Sequence, residues 1–388
     1  MNQAPADYTL YGVELSLYTG KARAYLRYKG VNWTEVMPDK KAFFEVIMPT
    51  AGSPIIPVMK TNDGDLVQDS TEIIDFIEAK EPEFSVYPTG PKQKLAALLL
   101  EFFGDEWLLL PAMHFRWNYL DQQHDFIMSE FGRQIKPNAS VEEQIELGKK
   151  NSPMFRSSVP KMGITEDTIE GVESSYLTVL DQLNTHFTHH KYLLGSRPCI
   201  GDYGLHASLY AHLARDPYPK ALMQKRAPEV YKWVERMNHP QAKSGEFLEN
   251  DQVPETLLPI LSIQSAEQLP DVLKVIAANE QFINSNPGKK IPRVLGYHEF
   301  TIGGKTGTRW INSYTQWMFQ RPLFFYQHLS ANHKTQADNL LKAIQAYDAF
   351  QTDIEKPLAR KKGQLELVEQ AFGQPLGAYT NTQWQFGS

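Results

Sequence analysis

The sequence predicts a mixed α/β unit followed by an all-helical one, and three observations carry that prediction. From about residue 7 to 88 strand and helix signals alternate, which argues for a mixed sheet covered by helices. From Lys92 to about Met237 the apolar spacing is helical throughout, with no convincing strand. Between the two, Pro82, Pro88, Gly90 and Pro91 form a breaker-rich linker. The chain divides on this reading into residues 1–88, residues 92–250 and a mainly helical extension over 251–388.

Taken in order, YTLYG reads as the first strand, Lys21 to Lys29 as a helix and NWTEV as the second strand. Pro57 stands between two short β-branched runs, where it cannot donate to a sheet ladder, and so marks an edge or a bend. The Ile56–Pro57 bond is a candidate cis peptide. A hairpin follows, from Val58 to Lys60, through Asn62-Asp63-Gly64, to Leu66 to Gln68. Asp69-Ser70-Thr71-Glu72 reads as a helix start with capping side chains and an acid three residues on. Ile73, Ile74, Phe76 and Ile77 then have the spacing of one buried helix face. The most apolar window, Leu95 to Met113, is interrupted by Glu101, Asp105 and Glu106, which predicts a buried or interfacial amphipathic helix rather than a membrane span. The polar piece from Lys136 to Ile164 reads as a long loop with one short helix. Beyond Pro254, Ser265 with Gln268 resembles a capping box before a helix to about Asn284. A Gly- and Lys-containing stretch, an aromatic-rich region from Trp310 to Tyr326 and a helix from about Thr335 complete the pattern.

Composition fits a soluble cytoplasmic enzyme. Net charge is −6 with Lys and Arg scattered, so no electrostatic footprint for nucleic acid is present. Cys199 is the only cysteine, which excludes an intrachain disulfide framework. MNQAPADYTLYG lacks the basic and apolar regions of a secretory signal. His186, His189 and His190 have no cysteine or spaced carboxylate partner, so no metal site is expected. GGKTGT at residues 303–308 fails the phosphate-loop pattern, because Glu299 stands where a glycine is needed, and it reads as a turn.

The informative chemistry lies at the helix start after Asp69. A helix N-terminus offers unpaired N–H groups and partial positive charge, and Ser70 adds a hydroxyl, so the two can hold a carboxylate. Ile56, before a cis proline, would pair its backbone with an extended ligand while Gln68, Asp69 and Ser70 hold the ligand's charged end.

These segments resemble the cytosolic glutathione S-transferase family, bacterial type with a serine-like active site. The carriers are Ile56-Pro57, Asp69-Ser70, the upstream TLYGVELSLYTGKARAYLRYKG and the downstream YLLGSRPCIGDYGLHASLYAHL, over roughly residues 7 to 245. The resemblance implies a thioredoxin-like N-terminal domain, an all-α C-terminal domain, and glutathione bound by Ile56, Pro57, Gln68, Asp69 and Ser70. It implies transfer of glutathione to an apolar or aromatic electrophile, a detoxification role, and a homodimer formed through the helices after Asp69 and after Lys92. Cys199 falls where the family places a Ser or Thr N-cap, with Asp202 completing the box.

Ser16 occupies the place of the family's activating serine, although Leu17 replaces the usual proline and Thr19 the second serine. Tyr18 and then Tyr11 are the other phenols or hydroxyls available for the role. Lowering the glutathione thiol by about two pH units requires roughly 2.7 kcal/mol. A hydrogen bond to a charged group contributes about 1.5–3 kcal/mol, so one hydroxyl beside a helix start suffices. The loop holds no cysteine, which argues against glutaredoxin-like chemistry. Trp107, Met113, His114 and Trp117, with Leu110, form a stripe in the position of the family's electrophile pocket. Two other readings stay open: a non-catalytic binding or scaffolding protein acting through the aromatic-rich extension, or an extension that caps the active site and narrows its substrates.

Overall fold

The computed structural model describes residues 6–53, 55–361 and 363–368. Four strands form the first sheet: β1 (Tyr8–Tyr11), β2 (Trp33–Val36), β3 (Val58–Thr61) and β4 (Leu66–Gln68). Their order is β2–β1–β3–β4, with β1 parallel to β2 and the other pairs antiparallel. Helix α1 (Leu17–Lys29) begins four residues ahead of the predicted Lys21, because Ser16 caps it. Its buried Tyr25 and Leu26 pack in one core with Ile73, Ile74 and Ile77 of α2 (Ser70–Lys80), as the apolar spacing predicted. Pro57 lies just before β3 rather than inside it, so the strand keeps its ladder. This is the thioredoxin-like mixed sheet that the sequence implied.

The helical part opens with α3 (Pro91–Phe102), which passes through a π-type turn at Phe103–Trp107 into α4 (Leu109–Trp117). It continues with α5 (His124–Arg133), α6 (Val141–Asn151), α7 (Ile169–Phe187), α8 (Ile200–Ala211), α9 (Pro217–Arg226) and α10 (Pro228–Asn238). α8 packs on both α1 and α3. The approach is close enough that a Cβ on Gly104 would lie 2.2 Å from the Gly204 carbonyl carbon. At the start of α8 the buried Asp202 carboxylate accepts from the Cys199 and Leu193 amides and from the Trp233 indole. Cys199 is fully buried there as the N-cap of α8.

Residues 136–164 are more helical than their polarity suggested. Ser140 accepts from the Glu143 amide to start α6, which pairs with α5 as an antiparallel hairpin. The polar side chains are its solvated face, and Gly132 and Gly148 let the two backbones touch.

The extension departs further from expectation. Helix α11 (Leu258–Ser285) runs straight through the predicted start at Ser265. Ser265 bonds back to the Leu261 carbonyl and Gln268 donates to the Phe102 carbonyl, so the apparent capping box is helix interior. Pro259, at the first turn, supplies the true start. The Gly- and Lys-containing stretch is a hairpin, β5 (Val294–Ile302) and β6 (Lys305–Asn312), turned by left-handed Gly303 and Gly304. Then come α12 (Tyr314–Gln327), α13 (Ala331–Ala343) and a second hairpin, β7 (Leu358–Lys361) and β8 (Gln364–Leu367).

The aromatic region is interior rather than a partner-facing surface: Trp317, Phe319, Phe324 and Tyr326 are all buried. α11, α12 and α13 pack against α3, and Arg321 of α12 pairs with Asp75 of α2. Of the two helices through which a homodimer was expected, α3 is therefore covered by the chain's own extension, and α2 is tied to it through Asp75. That cover also explains why α3 is buried along almost its whole length. Among the described residues, no helix is long and apolar enough to cross a membrane.

Candidate functional site

The strand register gathers the predicted site. Tyr11 pairs with Val58, and Val58 with Gln68. The segment Gly12–Ser16, the Ile56–Pro57 pair and Asp69–Ser70 therefore emerge at one end of the sheet, together with the starts of α1 and α2. The Ile56–Pro57 bond is cis.

Ser16 is the N-cap of α1, its Oγ accepting from the Thr19 amide at 3.2 Å. An N-capping hydroxyl accepts with its oxygen and keeps its proton free to donate. Leu17, in place of the expected proline, is buried. Tyr18 is differently placed: its phenol gives its single proton to the Asp105 carbonyl at 2.9 Å, and burial raises it well above the usual phenol range. Tyr11 is half-buried on β1.

The start of α2 is the most heavily bonded part of the site. Asp69 holds φ at 98°, a region that costs about 1–3 kcal/mol for a non-glycine residue and persists where surroundings fix it. Its Oδ1 accepts from the Thr71 amide at 2.9 Å. Its Oδ2 accepts from the Tyr314 phenol at 2.8 Å and lies 2.9 Å from Arg360 Nη1. Arg360 Nη2 also donates to the Gln68 side-chain carbonyl, and Nη1 lies 3.3 Å from Glu72. Asp69 and Glu72 outweigh the penalty of burial and keep Arg360 charged. Ser70 is buried, and its hydroxyl has no hydrogen-bond partner among the described residues.

Beneath this lies a network that sequence reasoning did not find. Lys21 Nζ, fully buried, donates to Thr71 Oγ1 at 2.8 Å, Glu101 Oε1 at 2.8 Å and Asp105 Oδ2 at 2.5 Å. Burial alone would lower the Lys21 ammonium, but the two carboxylates raise it. Burial pushes Asp105 up to about 7 against the pull of Lys21, while Lys21 and Arg321 hold Glu101 below its ordinary value. Glu106 accepts from Thr315 at 2.7 Å and is also pushed by burial to about 7. The available signal was three acids inside the most apolar window of the chain, since buried charges are paired.

The four residues of the aromatic stripe lie in the core: Trp107 is 2 % exposed, Met113 8 %, His114 1 % and Trp117 2 %. Trp107 donates to Glu267 of α11 and has Phe300 of β5 at its edge. His114 pairs with Glu173 at 2.8 Å, and Trp117 packs on Phe131. Among the described residues no group of His, Cys, Asp and Glu could hold a metal ion.

Two family models match the chain. The glutathione S-transferase N-terminal domain matches residues 10–85, and the glutathione S-transferase C-terminal domain matches residues 155–240. Similar solved structures include a glutathione S-transferase from Rhodospirillum rubrum F11, 17 % identical over 64 % of this chain and 96 % of that one, with a TM-score of 0.38. A beta-etherase from Sphingobium sp. strain SYK-6 is 18 % identical over 61 % of this chain and 96 % of its own, with a TM-score of 0.44. A glutathione S-transferase from Methylobacterium radiotolerans, in complex with glutathione sulfonate, is 17 % identical over 64 % and 99 % of the two chains, with a TM-score of 0.36. No curated protein sequence matches the chain.

Proposed function

Since the chain belongs to the glutathione S-transferase family through its two matched domains, we propose that it activates the glutathione thiol for attack on an apolar or aromatic electrophile. One observation carries this reading: the register that sets the free hydroxyl of Ser16, the backbone of Ile56 and the start of α2 at a single sheet end. A γ-glutamyl carboxylate would take the α2 amides and the unpartnered Ser70 hydroxyl, with Gln68 and Asp69 beside them. The cysteinyl backbone would run along Ile56, and Pro57 would shape that edge. The thiol then reaches the start of α1, where Ser16 donates to the thiolate as it forms. That bond is worth about 1.5–3 kcal/mol, and the helix start adds about 0.3–1 kcal/mol. The thiol's proton leaves to solvent, and the thiolate forms the S–C bond while the leaving group departs with its electron pair.

In this reading the electrophile meets the half-buried Tyr18, Ile56 and Tyr314, because the Trp107-to-Trp117 stripe is occupied by packing. The enzyme works as a single copy in the cytoplasm, needs no metal, and is capped by its own extension. A second reading, a non-catalytic protein that kept the fold, is favoured by one observation: Arg360 already sits on Asp69 and Gln68.

Turnover of glutathione with a dinitrophenyl halide separates the two. Ser16→Ala is expected to lower kcat/KM about 10- to 100-fold near neutral pH, with the deficit closing at alkaline pH as the thiol ionises unaided. Unchanged turnover at neutral pH would remove Ser16 from the mechanism, and no turnover by the wild type would favour the second reading.

A further inference from the structure

Asp69, the N-cap of α2, is a carboxylate that could receive the α-ammonium of a γ-glutamyl ligand, and the chain itself already uses it. Among the described residues its Oδ1 accepts from the Thr71 amide alone, and its Oδ2 receives both the Tyr314 phenol and the Arg360 guanidinium. An oxygen with two donors has filled its lone pairs. Both of those donors come from the extension, 245 and more residues away. The guanidinium lies over the Tyr314 and Trp317 rings, at 5.5 and 5.2 Å from their centroids, so its approach is built by side chains and is not a loose surface contact. Its strand is fixed as well: Leu358, two residues earlier, exchanges bonds with the Gln320 side chain of α12 at 2.7 and 2.8 Å. The hairpin then crosses to the other side of the site, where Gly363 and Gln364 close on Ala51 and Gly52.

We propose that Arg360 is a specificity-determining residue of this site. Its guanidinium takes the place on Asp69 that a ligand's α-ammonium would take, so a γ-glutamyl thiol must compete with the chain for that carboxylate. The inference rests on the glutathione reading above. It follows that the free ammonium, a recognition element in an open acid–Ser pair, contributes little here while Arg360 is in place. The subsite still offers its helix N-terminus and Ser70 hydroxyl to the ligand's carboxylate. Affinity for an ammonium-bearing ligand scales with the fraction of time the carboxylate is free of Arg360.

The test is calorimetric titration of the full-length protein with two probes, glutathione and N-acetylglutathione, which lacks the free ammonium. The wild type is expected to bind the two within about threefold of each other. Arg360→Gln should tighten glutathione binding by at least about tenfold and leave N-acetylglutathione unchanged. Arg360→Lys, which keeps the charge, should stay near the wild type. Tyr314→Phe frees one acceptor position on Asp69 without removing a charge, and should tighten glutathione alone by a few-fold, which keeps the test open should Arg360→Gln fold poorly. Equal binding by wild type and Arg360→Gln, or weaker binding by the variant, would overturn the proposal while leaving the glutathione reading standing. Failure of every protein to bind either probe at millimolar concentration would overturn both.

Discussion

Removing the Lys21 ammonium would leave Glu101 and Asp105 facing each other in the interior with Arg321 as the remaining cation, 3.4 Å from Glu101. Breaking a buried pair by taking away one partner costs about 3–5 kcal/mol. Lys21→Met should therefore lower stability by that order in urea unfolding, and a loss under about 1 kcal/mol would show that the network does not depend on the ammonium. Glu106 carries a pH signature. Its folded value is about 7 against an ordinary 4.5, so between the two the folded protein keeps a proton that the unfolded chain has released. Stability then falls as pH rises through that window. Glu106→Gln should flatten the decline by about 1–3 kcal/mol, read as the difference in urea midpoint between the two ends of the window relative to wild type. The sequence marked Glu101, Asp105 and Glu106 as anomalous in an apolar run, but it gave no means of naming Lys21, Thr71 and Thr315 as their partners.

At the level of elements, α11 docks through amides aimed at the place where α3 loosens into its π-type turn. Gln264 donates to the Leu99 carbonyl at 2.7 Å and Gln268 to the Phe102 carbonyl at 3.0 Å. Gln268→Leu should leave that buried carbonyl short of a donor and cost about 1–3 kcal/mol. A midpoint shift too small to resolve would mean the turn satisfies itself. The same residues explain the misplaced helix start. Ser265 and Gln268 have the spacing of a capping box, which depends on local geometry alone. Their real partners are a carbonyl one turn back and a carbonyl on another helix. The stretch from 136 to 164 erred in the opposite direction, since a polar run with glycines describes a solvated hairpin of helices as well as it describes a loop.

For the whole molecule, the extension covers α3, one of the two helices through which a pair of copies was expected to form. α3 meets α8 on one side and α11, α12 and α13 on the other, and Arg321 bridges α2 and α3 through Asp75 and Glu101. Light scattering at micromolar concentration should give the mass of one chain, 44.3 kDa. Twice that value would mean that copies associate through another face. Deleting the chain from α11 onward should yield aggregated protein, because it uncovers the buried length of α3.

The sequence by itself determined the order strand, helix, strand, hairpin, helix, the capped start of α2, the cis proline ahead of β3 and the helical character of the second part. Those features follow from turn chemistry, capping and apolar period, all of which act within a few residues. It also set out the candidate site as a row of backbone groups and hydroxyls. Only the tertiary structure decided that Tyr18 spends its proton on Asp105, that the aromatic stripe is core, and that Arg360 closes on Gln68 across 292 residues. A charge's partner is chosen by whichever element packing brings within about 4 Å, and no local pattern in a chain records that choice.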